Sequence, residues 1–126
     1  MTSRWVVHAQ VAFEASHALR VYLGAAESKH SHHWRVAIAV GAEGLNAEGY
    51  ALDFNLIQQL LKEATDDLVG GDLNDHPEVG QPSPTAERVA IVVASRLASR
   101  LVPLGGTLRS VSVWEGPENR VDLILD

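Results

Sequence analysis

Hydrophobic and polar positions alternate at both ends of the chain and follow a helical period in its middle. Between Arg4 and Ala15, Trp5, Val7, Ala9, Val11 and Phe13 interleave with His8, Gln10 and Glu14, a period of two that predicts a half-buried strand. His17 continues the parity of Phe13 and Ala15. Ala18 to Lys29, with Gly24, adjacent alanines and Ser28, holds no sustained period and reads as a loop. Alternation resumes in His30-Ser31-His32-His33-Trp34 and runs on through Arg35-Val36-Ala37-Ile38-Ala39-Val40. Successive strand side chains face opposite ways, so His30 and His32 share a face with Trp34, Val36, Ile38 and Val40, while Ser31, His33 and Arg35 take the other. Gly41 to Gly49 contains three glycines and an asparagine, the composition of an irregular turn, and a hairpin-like return is expected there.

From Asn55 the period lengthens. Leu56, Ile57, Leu60, Leu61, Ala64 and Leu68 form an apolar face against Gln58, Gln59, Lys62, Glu63 and Asp66, which predicts an amphipathic helix. Asp53 or Asn55 can cap its start, and Gly70-Gly71 is a natural stop. Asp72 to Ser83 is a polar, proline-bearing loop, after which Pro84 or Thr85 opens a second helix. Glu87 lies in its first turn, Val89, Val93, Leu97 and Leu101 repeat at a spacing of four, and Pro103 with Gly105-Gly106 ends it. Arg109 to Trp114 and Asn119 to Leu125 alternate as third and fourth strands around a Gly116-Pro117-Glu118 turn. The order strand, strand, helix, helix, strand, strand makes the chain α+β, with a four-stranded antiparallel sheet covered on one face by two helices.

Composition narrows the field. With 126 residues and 46% hydrophobic content, the chain suits one domain spanning residues 1–126 with a single core. A formal charge of −6 and the lack of any Lys/Arg cluster argue against nucleic acid as a partner. No apolar run approaches the roughly 18 residues of a membrane span, and the N-terminus lacks a signal-peptide pattern, so a cytoplasmic protein without a membrane partner is expected. Cysteine is absent, which leaves any metal to His, Asp or Glu.

Candidate chemistry centres on His17, His30 and His32. Catalytic zinc is commonly held by three protein ligands with a fourth position open, and two histidines on one strand plus a third from its neighbour can supply that set. A group bound at the open position is polarised near neutral pH. Spacing alone leaves the alternative that these are half-buried histidines bonded to backbone. Glu115, at a strand end beside Gly116, reads on its own as a solvated glutamate.

A resemblance covering nearly the whole chain bears on that choice. Phe13-Glu14-Ala15-Ser16-His17, His30-Ser31-His32-His33-Trp34, Gly49 to Asp53-Phe54, Leu73-Asn74, Pro84-Thr85-Ala86-Glu87 and Val111-Ser112-Val113-Trp114-Glu115 occur in the order seen in the 6-pyruvoyltetrahydropterin and 6-carboxytetrahydropterin synthase family. The chain is thereby similar to zinc-dependent lyases of the tunnelling fold. The resemblance implies Zn2+ on His17, His30 and His32, with Glu115 as the anchor of a pterin ring. It also implies a small pterin-like substrate such as dihydroneopterin triphosphate, and a homo-oligomer, trimer or hexamer, whose sheets join into a barrel.

The departures from that pattern fall on the proton-transfer residues. The family's cysteine, four residues before the first histidine of the strand pair, lands on Ala26, with Glu27 beside it. The Asp-His pair before the Leu-Asn lands on Val69 and Gly70. A general base must reach the proton it takes, and alanine, valine and glycine offer no base. Glu27 is the leading replacement, because one branch of the family is similar in using glutamate there. His76, after Asn74-Asp75, is a second candidate, while His8 and His33 point away from the ligand face. Glu27 reads equally as a solvated loop residue, His76 before Pro77 reads first as an exposed loop histidine, and Asp72 and Asp75 share that ambiguity. Three functions follow: a zinc-dependent pterin-synthase-type lyase, a diverged pterin aldolase or side-chain-processing enzyme, or a non-catalytic zinc- and pterin-binding protein.

Overall fold

The computed structural model describes residues 4–126. Strands β1 (Arg4–His17) and β2 (His30–Glu43) are followed by helices α1 (Phe54–Thr65) and α2 (Ala86–Leu101), then by β3 (Thr107–Glu115) and β4 (Arg120–Ile124). The strands form one antiparallel sheet in the order β1-β2-β3-β4, with β1 and β4 at its edges, so the sheet is not closed on itself. This is the topology that the period changes predict. The helix starts are capped as the side chains allow: Asp53 accepts from the Asn55 amide at 2.8 Å and Thr85 from the Arg88 amide at 3.0 Å.

The alternating apolar positions bury one face of the sheet. Phe13, Trp34, Val36, Ile38, Val40, Val111 and Val113 are buried against Ile57 and Leu61 of α1 and against Val89, Val93, Leu97 and Leu101 of α2. A bulge between Ala39 and Val40 sets Ser110 opposite Ala39 and Leu108 opposite Val40, which keeps Leu108 and Val111 on the buried face. Gln10, Glu14, Arg35 and Arg109 point to the opposite, exposed face. There Trp114 is flanked by the guanidinium groups of Arg35 and Arg120, 5.5 and 5.2 Å from its ring. Among the described residues, no helix is long and apolar enough to cross a membrane.

Two local expectations are corrected. Gly41 belongs to β2, paired with Val6 and Thr107, and the chain leaves the strand after Glu43 through an Asn46-centred turn toward α1 without a hairpin return. A Cβ at Gly41 would lie 2.8 Å from Arg109 Nε, so this glycine clears a path for a cross-strand side chain. Leu56 is 46% exposed, because the buried line of the first helical segment runs through Ile57, Leu61, Ala64 and Leu68.

Leu97 is completely buried between the helix layer and the sheet. Leu97→Ala is expected to lower unfolding free energy by about 2–5 kcal/mol. Urea denaturation should show a lower midpoint with an unchanged slope.

Candidate metal centre

Strand register brings four potential donors to one end of the buried sheet face. His17 is paired with His30, His32 with Ala15, and Glu115 with Trp34, which places all four functional side chains on the same side. The imidazole centroids lie 4.7 Å (His17 and His30), 5.4 Å (His17 and His32) and 4.4 Å (His30 and His32) apart. One donor atom from each of His17, His30, His32 and Glu115 falls within 4.8 Å of the others. The grouping that strand parity predicted for the histidines is present, and it includes Glu115.

Backbone carbonyls decide which ring nitrogens face inward. His17 Nδ1 lies 2.8 Å from Pro84 O and His30 Nδ1 lies 3.0 Å from Ser28 O. A carbonyl can only accept, so each Nδ1 carries the proton and, in the neutral ring, each Nε2 presents a lone pair. Trp34 closes the floor, donating its indole N–H to Ala15 O at 3.1 Å with its ring edge-on to His17.

The inward lone pairs meet an acceptor. Glu115 Oε1 touches His17 Nε2 and lies 3.4 Å from His32 Nε2 and 4.0 Å from His30 Nε2. His17 is 1% exposed, and its Nε2 has no partner of hydrogen-bond geometry despite the close carboxylate. A ring nitrogen and a carboxylate oxygen that both offer lone pairs repel unless a cation lies between them. A proton partly fills that need. Burial works against charge on His17, but contact with Glu115, the Pro84 carbonyl and the Glu27 charge outweigh it and raise the pKa. Glu115 is held below the usual carboxylate range first by His17, against burial. His32 is pushed down, first by burial and then by the neighbouring imidazoles, with Glu115 opposing.

A divalent metal would satisfy all four donors at once. Zinc bonds to imidazole nitrogen and carboxylate oxygen run to about 2.0–2.2 Å, which sets neighbouring donors of a tetrahedral site about 3.4 Å apart. The His32–Glu115 separation of 3.4 Å matches that spacing, the His30–Glu115 separation of 4.0 Å is wider and the His17–Glu115 contact closer, and the carbonyl-bound Nδ1 groups of His17 and His30 are the outer-sphere support that metal-bound histidines usually have. The residues present fit such an ion.

The two expected acid–base residues are placed differently. Glu27 Oε1 accepts from the Leu19 amide at 3.0 Å and lies 3.8 Å from His30 Nδ1, at the border of the cluster. His76 uses both ring nitrogens elsewhere. Its Nε2 donates to Asp67 at 2.7 Å, and its Nδ1 accepts from the amides of Glu78 and Val79, both at 3.1 Å. Its side chain is 8% exposed, so it is a packed residue and not a solvated one. Asp67 is held in turn by Arg96, through contacts of 2.7 and 3.1 Å. Of the remaining histidines, His8 is exposed, and His33 lies beside Glu14 at 3.7 Å on the outer face. Asp72 pairs with Lys29 and caps the Asn74 amide. At the positions of the missing Asp-His pair, Val69 is exposed and the Gly70 amide donates to Glu14 O at 2.7 Å.

Sequence reading assigned no site role to several residues that shape the centre. Pro84 and Ser28 act through carbonyls, which every residue has. Asn74 binds both backbone groups of Ala18, each at 2.8 Å, next to His17. Arg20 donates to the carbonyls of Asn74 and Gly80. Gly80 is tightly enclosed, since a Cβ there would stand 2.5 Å from Asn74 O.

An open antiparallel sheet with two helices on one face and a three-histidine, one-carboxylate cluster at its end defines the class: a tunnelling-fold protein with a candidate metal centre. Residues 6–124 match the sequence model of the family described as 6-pyruvoyl tetrahydropterin synthase, and the chain belongs to that family. Among curated proteins none matches. Solved structures are similar over almost their full length. The 6-pyruvoyl tetrahydropterin synthase of Caenorhabditis elegans has a TM-score of 0.82 at 18% identity, covering 98% of this chain and 97% of that one. The Plasmodium falciparum enzyme has a TM-score of 0.74 at 18% identity, covering 96% and 97%. A Plasmodium vivax 6-pyruvoyltetrahydropterin synthase in which a catalytic glutamate is replaced by alanine has a TM-score of 0.75 at 10% identity, covering 98% and 99%. At such identities the likeness is one of fold. This chain diverges from the family's catalytic pattern in having no cysteine.

Two expectations follow. Metal analysis of the purified protein should give about one ion per chain, and His30→Ala should reduce it to a trace and lower the melting temperature of the metal-loaded protein. A metal-free native protein would contradict the site. Separately, the Asp67 carboxyl is lowered to about 2 by Arg96, with burial opposing and His76 adding. Its folded pKa lies below the unfolded value of about 3.9, so its stabilisation is complete above that value and is lost as pH falls toward 2. Asp67→Asn is expected to cost about 1 kcal/mol at pH 6, discounted because the side chain is 51% exposed. Melting curves of the two proteins should converge near pH 2.

Proposed function

We propose that this chain is a zinc-dependent lyase of the pterin synthase type, acting on dihydroneopterin triphosphate or a related pterin. It works as a single domain over residues 1–126 in a cytoplasmic homo-oligomer, a trimer or hexamer whose open sheets join into a barrel. The observation that carries the reading is the set of imidazole lone pairs turned inward on a carboxylate at the sheet end. His17, His30 and His32 would hold the zinc, which supplies a Lewis acid beside the hydroxyl groups of the pterin side chain. Glu115 receives the amino and ring N–H donors of the pterin as a bidentate pair and sets the orientation of the side chain.

Glu27 moves the proton. Its Oε1 is steadied by the Leu19 amide, which leaves Oε2 to take a proton from a substrate carbon or hydroxyl beside His30. The catalytic glutamate of the Plasmodium vivax enzyme supports a carboxylate in this role. His76 is the weaker candidate, because its ring nitrogens are bound to Asp67 and to two amides.

The absent thiol and Asp-His pair favour a second reading. In it, zinc and ring recognition persist while the step is another side-chain cleavage, such as an aldol cleavage, or while no step occurs. Product analysis after incubating the zinc-loaded protein with dihydroneopterin triphosphate, its dephosphorylated form and sepiapterin separates these readings. Release of triphosphate with a new carbonyl product is expected for the lyase. Glu27→Gln should lower turnover by about 10²–10⁴-fold while pterin binding persists. Full turnover in Glu27→Ala would remove Glu27 as the base, and binding of all three pterins without conversion would favour a binding protein.

A further inference from the structure

Glu115 has two uses that exclude each other. As a ring anchor it must offer both carboxylate oxygens to a pair of parallel donors, yet its Oε1 is turned into the triangle of imidazoles, against His17 Nε2 and 3.4 Å from His32 Nε2. A metal held in that position would have four protein donors, the count of a closed structural site, and no position left open for a substrate oxygen at four-coordination. For a substrate oxygen to enter at four-coordination, one donor would have to leave.

The tethers narrow the choice to two donors: among the described residues neither His32 nor Glu115, 34% and 31% exposed, is held by a hydrogen bond outside the cluster, and of the two Glu115 is the one with a second use. His17 is buried and fastened to Pro84 O, and His30 is fastened to Ser28 O. Among the described residues, the Glu115 carboxylate has no hydrogen bond to any side chain or amide besides its contacts with the imidazoles, and its side chain is 31% exposed. Its backbone is anchored, by its own amide to Asn119 O at 3.1 Å and by the next amide, of Gly116, to His33 O at 2.8 Å. A fixed backbone with a free, half-exposed carboxylate allows movement about the side-chain torsions alone.

The geometry points to Glu115 as an exchangeable fourth ligand that closes the metal centre in the free protein and leaves it for the heterocycle when substrate docks. The metal position then opens only when a ring is present to take the carboxylate, which keeps water and small anions from the metal between turnovers. Closure rests on the geometry of the cluster, and the identity of the ring rests on the function proposed above.

Cobalt-loaded protein provides the test, read by its visible absorption bands, with azide as the probe of an open position. Glu115→Gln and Glu115→Ala should each retain about one cobalt per chain through the three histidines and bind azide at least about tenfold more tightly than wild type. Sepiapterin added to the wild type should shift its cobalt bands toward those of the variants, with no shift in Glu115→Ala. Equal azide affinities in wild type and variants would overturn the closure. Loss of cobalt from both variants would make Glu115 a permanent ligand and overturn the exchange, as would wild-type bands that sepiapterin, at concentrations that saturate its binding, leaves unchanged. A band shift with no turnover of any pterin would remove the lyase reading and keep the exchange, whereas a wild type that binds no cobalt would remove the metal centre itself.

Discussion

The continuous pairing of β1 with β2, from Arg4 opposite Glu43 to His17 opposite His30, is the constraint on which the site depends. A slip of one residue would turn His30 and His32 to the outer face and Trp34, Val36 and Ile38 with them. The register is therefore enforced by the hydrophobic cost of exposing that row. The core does not merely sit beside the candidate metal centre. It sets the face on which the histidines stand, and the β2–β3 pairing that places Glu115 opposite Trp34 completes the donor set.

What the sheet positions, the loop between α1 and α2 orients. Pro84 O fixes the tautomer of the buried His17, and Pro84 is itself held because that loop is stapled to the chain just after His17 by Asn74 and Arg20. His76, Asp67 and Arg96 brace the same loop from its far side. Buried polar groups of this kind are stabilising only when each donor and acceptor is matched, and here nearly all are. Among the described residues the exception is His17 Nε2, the atom turned toward the other imidazoles. An otherwise satisfied network that leaves one inward nitrogen unmatched points to a cation as the missing partner.

The chain shares the family's fold and holds a three-histidine, one-carboxylate cluster, and it has no cysteine. At Val69-Gly70 the chain makes a backbone bridge, with the Gly70 amide bonded to Glu14 O. That bridge ties the end of the first helical segment to β1. Glu27 stands at the rim of the cluster, hydrogen-bonded to Leu19 across the loop that joins the first two ligand-bearing strands.

Period alone determined the order of elements, the buried rows and the shared face of His30 and His32, because alternation and helical spacing are local properties of side-chain direction. It also carried the parity of His17 with Phe13 and Ala15. It misread Gly41, whose lack of a side chain serves Arg109 on another strand, and the environment of His76, whose partners Asp67, Glu78 and Val79 are brought together only by the folded loop. The inclusion of Glu115 among the donors, the choice of Nε2 over Nδ1 in His17 and His30, and the support from Pro84 and Ser28 were decided by tertiary structure. Each depends on register between distant strands or on a backbone carbonyl, and neither leaves a mark in residue type.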